Sequence, residues 1–176
     1  MPPMGAKTTI RRPTAAEIGE LPALEVESYL SYADIGMSEV AVGNEPDVGF
    51  LSDAFYADNI RIALCDTDIA GFIEYRTLDE TLYIAGVNVR PRFLGHRIGA
   101  LLLEAAAELA TARGLHRLSL TTFQDVPWNA PYYERLGWRT LAEEETSAGL
   151  LAIRARQRDA GYERWPRTTM VKDLSS

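Results

Sequence analysis

Apolar residues recur along this chain with two different periods, and the changes of period mark out its elements. Residues 7 to 12 alternate as a short strand does, and Pro13-Thr14 breaks the run. From about Ala15 the spacing of Ile18, Leu21, Leu24 and Tyr29 predicts an amphipathic helix. Residues 31 to 59 are irregular, with short helical pieces around 37–42 and 48–56 parted by Gly43-Asn44-Glu45-Pro46. Three strands then follow at short intervals. Ile60, Ile62 and Leu64 alternate with polar or small residues, and Asp66-Thr67-Asp68 reads as a hairpin turn. Residues 69–77 return, Leu78-Asp79-Glu80 turns again, and Thr81 to Val89 makes the third strand. A helix from Ile98 to Arg113 carries Leu101, Leu102, Ala105, Leu109 and Ala112 on one face, and Gly114 stops it. The rest reads as a strand over 115–123, a short helix from Asn129 to Gly137, a strand over 138–142, a helix over 148–160 and a closing strand over 168–174.

Hairpins make the front half antiparallel, while the strand–helix–strand unit from Thr81 to Phe123 makes a parallel pair. The expected class is α/β of the α+β kind, a central mixed sheet flanked by helices. No repeat, linker or low-complexity run divides the chain, so one domain over 1–176 is expected, with 1–6 as a flexible tail.

Charge narrows the function classes. With 25 acidic and 18 basic residues the net charge is −7, a poor balance for holding a phosphate backbone, so nucleic acid is disfavoured as a partner. The same balance suits a cationic small amine or a basic peptide. Cys65 is the only cysteine, so an internal disulfide and a cysteine metal cluster are both excluded. It follows Ile62 and Leu64 in a strand, where a buried, inert thiol is expected. No metal is expected: Asp66 and Asp68 read as turn residues, with no histidine close in sequence. No apolar run is long enough to cross a bilayer, and the first ten residues lack the apolar core of a secretory signal. The expected compartment is the cytoplasm.

The chemistry concentrates in two segments. In Val87 to Leu102, V-N-V-R-P-R-F-L-G-H-R-I-G-A-L-L, a β-branched strand ends at a proline and passes through a basic glycine loop straight into an apolar helix. Helix-initial N–H groups have no intrahelical partner and sit at the positive end of the dipole, so such a loop can cradle an anion. The plain alternative is a tight strand-to-helix turn. In Trp128 to Trp138, W-N-A-P-Y-Y-E-R-L-G-W, Asn129 reads as a helix N-cap, Pro131 as a first-turn residue and Gly137 as a left-handed stop. Tyr133 falls four residues after Asn129 on the same helical face, beside Tyr132, which is free to serve as the packing aromatic.

Together these segments resemble the acetyl-CoA-binding signature of the GNAT superfamily of N-acetyltransferases, and the order of elements resembles that fold. The usual signature is Arg or Gln, two residues, Gly, one residue, then Gly or Ala. Gly99 matches its last position and Gly95 a glycine that often follows the Arg or Gln. Leu94 stands where Arg or Gln belongs, and Arg97 where the first glycine belongs. The resemblance implies acetyl-CoA as cosubstrate, bound by Val87, Asn88 and Val89 along the strand, by Leu94, Gly95, His96, Arg97, Ile98, Gly99 and Ala100 in the loop, and by Asn129. Family strands of this kind bulge and offer amides to the pantetheine arm, and Gly86 is where a bulge would be cheapest. Tyr133 matches the tyrosine that protonates the departing thiolate, its ordinary pKa of about 10 lying above that of a thiol. A core aromatic remains the alternative.

The implied activity is transfer of acetyl to a primary amine of a small molecule or peptide, by direct attack in a ternary complex. The alternative is an acyl-CoA-binding domain that transfers nothing. Glu27, Glu74 and Glu80 are the carboxylates available to deprotonate the acceptor, and none is singled out. The acceptor walls are expected from residues 29–56 and 142–166. No membrane partner is expected; a homodimer is possible, with Phe50, Leu51 and Phe55 the expected contact.

Overall fold

The computed structural model describes residues 5–43 and 45–175. The expectation of a flexible tail falls mostly on residues 1–4, outside the described residues. In chain order the elements are β1 (Thr8–Arg11), α1 (Ala15–Ile18), α2 (Leu21–Tyr29), a 3₁₀ segment (Leu30–Ile35), α3 (Ser38–Gly43) and α4 (Val48–Tyr56). Next come β2 (Ile60–Cys65), β3 (Asp68–Leu78), β4 (Thr81–Val89) and α5 (Ile98–Ala112). The chain closes with β5 (Arg117–Phe123), α6 (Ala130–Arg135), β6 (Arg139–Thr140), α7 (Ala148–Asp159) and β7 (Arg167–Asp173). The strands form one seven-stranded mixed sheet of order β1-β2-β3-β4-β5-β7-β6, flanked by helices.

The chain divides into two compact units: the described residues up to Tyr75 with Ala85–Ala106, and Arg76–Ile84 with the described residues from Ala107 on. β3, β4 and α5 each contribute to both.

In the first unit β1 pairs antiparallel with β2, and β2 with β3. The hairpin between them turns at Asp66, whose φ of 54° is a left-handed value that Asp tolerates better than most residues. The helix expected from Ala15 is two helices. Thr14 caps α1 in a capping box with Glu17, whose carboxylate also receives Arg11 at 2.7 Å. The break falls at Gly19-Glu20 because Pro22 suits only the first turn of a new helix. Leu21 and Leu24 of α2, Leu51 and Ala54 of α4, Ile60 and Ile62 of β2, and Ile69 and Phe72 of β3 make the unit's core. Leu51 and Phe55 pack into that core, so the apolar positions α4 exposes are Val48 and Tyr56.

In the second unit Leu82 and Tyr83 of β4 pair in parallel with Leu118 and Ser119 of β5, as the strand–helix–strand reading requires. β5 pairs antiparallel with β7 along its whole length, and β7 with the edge strand β6. β6 is shorter than the expected 138–142: Leu141 already leaves the strand, although its N–H still reaches Thr169 at 2.8 Å. Tyr83, Leu141, Leu150, Ile153 and Val171 form the core here.

Candidate functional site

The first unit carries the strand end, the loop and the helix start. β4 changes character along its length: Leu82 to Ile84 are buried, Ala85 is exposed, and Gly86 and Val87 are half-buried. Asn88 is buried, and its side chain is already engaged, because Ser28 of α2 donates to its Oδ1 at 2.9 Å. Its Oδ1 is thus taken, leaving its Nδ2 and the main chain around it to meet a ligand. Gly86 needs no crowding to explain it, since a Cβ there would meet Asn88 Nδ2 at an ordinary 3.4 Å. The β2–β3 pair carries a register shift between Ala63 and Leu64.

The glycine that crowding does demand is Gly71 of β3, which sequence reading passes over. A Cβ there would lie 2.5 Å from the Asn88 carbonyl oxygen, 3.3 Å from Val89 Cα and 3.2 Å from Ile98 Cγ2. Its missing side chain lets β3 approach both the end of β4 and the first residue of α5. Arg90 pins the same junction. Its N–H donates to Ala70 O at 2.8 Å, its Nε to Ile69 O at 2.8 Å, and its Nη1 to Glu27 at 2.8 Å. Glu27 is thus committed to Arg90, and Glu80 is an exposed turn residue of the other unit. Of the three carboxylates named from the sequence, Glu74 alone is buried.

Beyond Arg90 the chain makes a 3₁₀ turn over Pro91–Phe93, with Phe93 tucked in. Leu94, Gly95, His96 and Arg97 then all face solvent. Gly95 has a φ of 83° and Arg97 a φ of 60°, so the loop enters α5 through two left-handed residues. This explains why the family's pattern asks for glycine where Arg97 stands, since a side chain there is strained. Leu101 N–H is the one that bonds back to Arg97 O, at 3.0 Å, so the N–H groups of Ile98, Gly99 and Ala100 have no intrahelical acceptor. Arg97 itself pairs with Glu104 at 3.3 Å on the exposed side of the helix.

Asn129 and Tyr133 belong to the second unit. Asn129 occupies the N-cap position of α6 but makes no side-chain capping bond there, because its φ of −110° and ψ of −119° are not capping values; its Nδ2 donates to Trp128 O at 3.3 Å. Gly137, with a φ of 90°, ends the segment as expected, and Lys172 Nζ satisfies the Leu136 carbonyl at 2.8 Å. Tyr133 is 9% exposed, and its ring meets those of Tyr132 and Trp138 edge-on, each at 5.6 Å between centroids. Packing is therefore one role it has.

Residues 31–138 match the model of the Acetyltransferase (GNAT) family. Among solved structures the fold matches a GNAT-family acetyltransferase of Staphylococcus aureus with a TM-score of 0.72 at 13% identity, over 96% of this chain and 100% of that one. It matches the PaiA N-acetyltransferase of Thermoplasma acidophilum, solved with coenzyme A, with a TM-score of 0.68 at 16% identity, over 96% and 99%. It also matches N-acetylglutamate synthase of Neisseria gonorrhoeae, solved with coenzyme A and N-acetyl-glutamate, with a TM-score of 0.71 at 18% identity, over 97% of this chain and 36% of that one. This chain thus spans about a third of the synthase's length. At such identities the structural likeness is one of fold, while the family model covers well over half of the chain. The chain belongs to the GNAT family of acetyltransferases.

Proposed function

We propose that the protein transfers acetyl from acetyl-CoA to a primary amine of a small molecule or peptide, by direct attack in a ternary complex. The observation that carries this reading is the loop Leu94–Arg97, exposed throughout and turned by two left-handed residues into a helix whose first N–H groups have no intrahelical acceptor. That arrangement fits a pyrophosphate, since peptide N–H groups at the positive end of a fifteen-residue helix attract and bond an anion. The group it suits is coenzyme A, which also accompanies the solved PaiA and synthase relatives.

In this reading the backbone of Val87 and Val89 holds the pantetheine arm as an added strand would, and Gly95 to Ala100 hold the phosphates. His96 and Arg97 add positive charge at their rim. Ser28, bonded to Asn88, keeps β4 in place while the main chain binds. Tyr133 gives its phenolic proton to the departing thiolate. A CoA-dependent reaction of this kind uses the thioester's acyl group as electrophile, and the chain's part is to position it and move protons.

Acyl-CoA binding without transfer is the second reading, and the packing of Tyr133 between Tyr132 and Trp138 favours it. One set of measurements separates the two. Calorimetry on the folded wild type is expected to show acetyl-CoA binding, and an amine panel is expected to release CoA. Tyr133→Phe is then expected to keep acetyl-CoA affinity and lower turnover by about 10²–10⁴-fold, the usual range for general acid catalysis. Tyr132→Phe is the control and leaves turnover unchanged. Equal turnover in wild type and Tyr133→Phe would remove the acid role. Absence of acetyl-CoA binding would remove both readings.

A further inference from the structure

One cation of the second unit stands without an acid: Arg76, near the end of β3. The other half-buried arginines of this acid-rich chain are committed. Arg11, Arg61, Arg90, Arg117 and Arg154 each pair with a carboxylate, and Arg167 donates to Gln157 and Thr121. Arg76 is half-buried, its Nε is enclosed with no acceptor, and no ion pair or hydrogen bond reaches its guanidinium among the described residues. Arg154 also has an enclosed Nε without an acceptor, but its Nη2 holds Glu163 at 2.8 Å. Neither acid of the turn that follows β3 takes Arg76. Asp79 accepts the Gly149 N–H of α7 at 3.1 Å, and Glu80 faces solvent.

What Arg76 does meet is Tyr83. Its Cζ lies over that ring, 5.6 Å from the centroid, within the range of a cation–π contact. The ring itself is held in place. Tyr83 is 6% exposed and packs with Leu141, Leu150, Ile153 and Val171, and its backbone stands opposite Ser119 where β4 pairs with β5. The Ser119 hydroxyl is engaged with that of Thr81 at 2.6 Å, whereas the Tyr83 hydroxyl has no hydrogen-bond partner among the described residues. A guanidinium and a phenol on neighbouring side chains thus both hold unused donors. A ring face offsets part of the cost of removing a cation from water, but it gives Nε no acceptor. An oxyanion gives one. The pair carries a single positive charge, which balances a carboxylate and leaves a phosphate dianion uncompensated. The planar fork of a guanidinium also matches the two oxygens of a carboxylate.

We propose that Arg76 and Tyr83 form the subsite for a carboxylate on the acceptor, so that the amine acetylated belongs to an amino acid. Resting on the acetyltransferase reading above, this names its substrate class. Arg76 donates paired N–H bonds to the carboxylate and Tyr83 adds its hydroxyl. Both residues bind and orient; neither moves a proton. Val87, whose main chain holds the pantetheine arm in that reading, follows Tyr83 by four positions on β4, about 13 Å along the strand. An arginine side chain and a small amino acid together cover such a span, which turns the ammonium end toward the thioester. An amine without a carboxylate leaves the guanidinium unpaired and binds more weakly.

The test titrates the standard amino acids, their carboxamides and the matching aminoalkylphosphonates into the wild type by calorimetry, with and without acetyl-CoA, and follows CoA release with the same compounds. At least one amino acid is expected to bind about tenfold or more tighter than its own carboxamide and to exceed it as far in kcat/KM. Ammonium and side chain are common to the two, so the difference belongs to the carboxylate. The phosphonate is expected to bind no tighter than the carboxylate. Arg76→Met keeps an unbranched stem over the ring. It is expected to raise KM for that amino acid about tenfold or more with kcat within about threefold, leaving its carboxamide and acetyl-CoA affinity unchanged. Tyr83→Phe is expected to raise the same KM about three- to tenfold. A merely structural role would weaken acid and amide alike. Failure of acetyl-CoA to bind would overturn the acetyltransferase reading, while the titrations of acid against amide still read the subsite. Should no amino acid outbind its carboxamide, or should Arg76→Met weaken the two equally, the subsite is overturned. A phosphonate bound about tenfold tighter than its carboxylate would overturn the choice of carboxylate.

Discussion

The phosphate-type loop and the buried acid Glu74 lie in one compact unit and are built on opposite plans. The loop is main chain. Its residues face solvent, and the anion affinity proposed for it rests on peptide N–H groups that any sequence of the right shape would present. Its cost is conformational, paid at Arg97 with a φ of 60°. Glu74 is side chain, and its cost is desolvation, to which the charges of Glu25 and Asp47 add. In the proposed reading the loop therefore tolerates Leu94 and Arg97 where the family pattern has other residues.

That contrast is broken most directly through Glu74. An acid held at about 8 when folded, against about 4.3 when unfolded, binds more protons folded than unfolded between those values. Stability should fall as pH rises through that window, with the penalty complete above about pH 8. Glu74→Gln removes the titration. The variant is expected to match the wild type below about pH 4 and to exceed it by up to about 5 kcal/mol above pH 8. Urea unfolding at a series of pH values checks this, and parallel curves for the two proteins would show that Glu74 is not a strained acid.

Gly71 sharpens the other half. The space its side chain would occupy holds the Asn88 carbonyl oxygen, so Gly71→Ala forces backbone apart at the root of the loop. A loss of about 2–3 kcal/mol in stability is expected, together with weaker acetyl-CoA binding, because the ends of β4 and the start of α5 move with it. Gly86→Ala, which meets only ordinary contact, is the comparison and should change both little. If both substitutions weaken acetyl-CoA equally, the loop is not held by close approach of β3.

The same difference of plan decides what can be read from the chain without coordinates. The loop is legible because its parts are contiguous: strand period, proline, glycines and helix period follow one another from Val87 to Leu102. The bounds of β4 and the start of α5 coincide with those expected, as repeated periods over nine or more residues should allow. The burial of Glu74 is illegible because a single acid in a strand looks like a solvated surface residue. Only the packing of α2 and α4 over that face of β3 buries it. Gly71 is hidden for a similar reason, since what it must avoid is the backbone of residues 17 or more positions away. At Asn129 the expectation rested on residue type, and Asn at a helix start can bond elsewhere, as its Nδ2 does here.

The smallest effect is at Arg97, and it isolates shape from charge in the loop. Arg97→Gly relieves a left-handed side chain, worth about 1 kcal/mol, and loosens the unfolded chain by a comparable but smaller amount. A net gain of about half a kcal/mol in stability is therefore expected. Arg97→Ala keeps the strain and gains nothing. Both substitutions delete the guanidinium, whose pairing with Glu104 at 3.3 Å is solvent-exposed and contributes little. If the anion is held by main chain, the two variants should bind acetyl-CoA within about threefold of the wild type and of each other, a difference well under 1 kcal/mol. If the side chain carries the affinity, both should lose about tenfold or more at low salt, and the loss should shrink as salt is raised, because screening removes what the guanidinium supplied. Calorimetry at two ionic strengths distinguishes these outcomes, and the second would mean that the loop works through its side chains rather than its backbone.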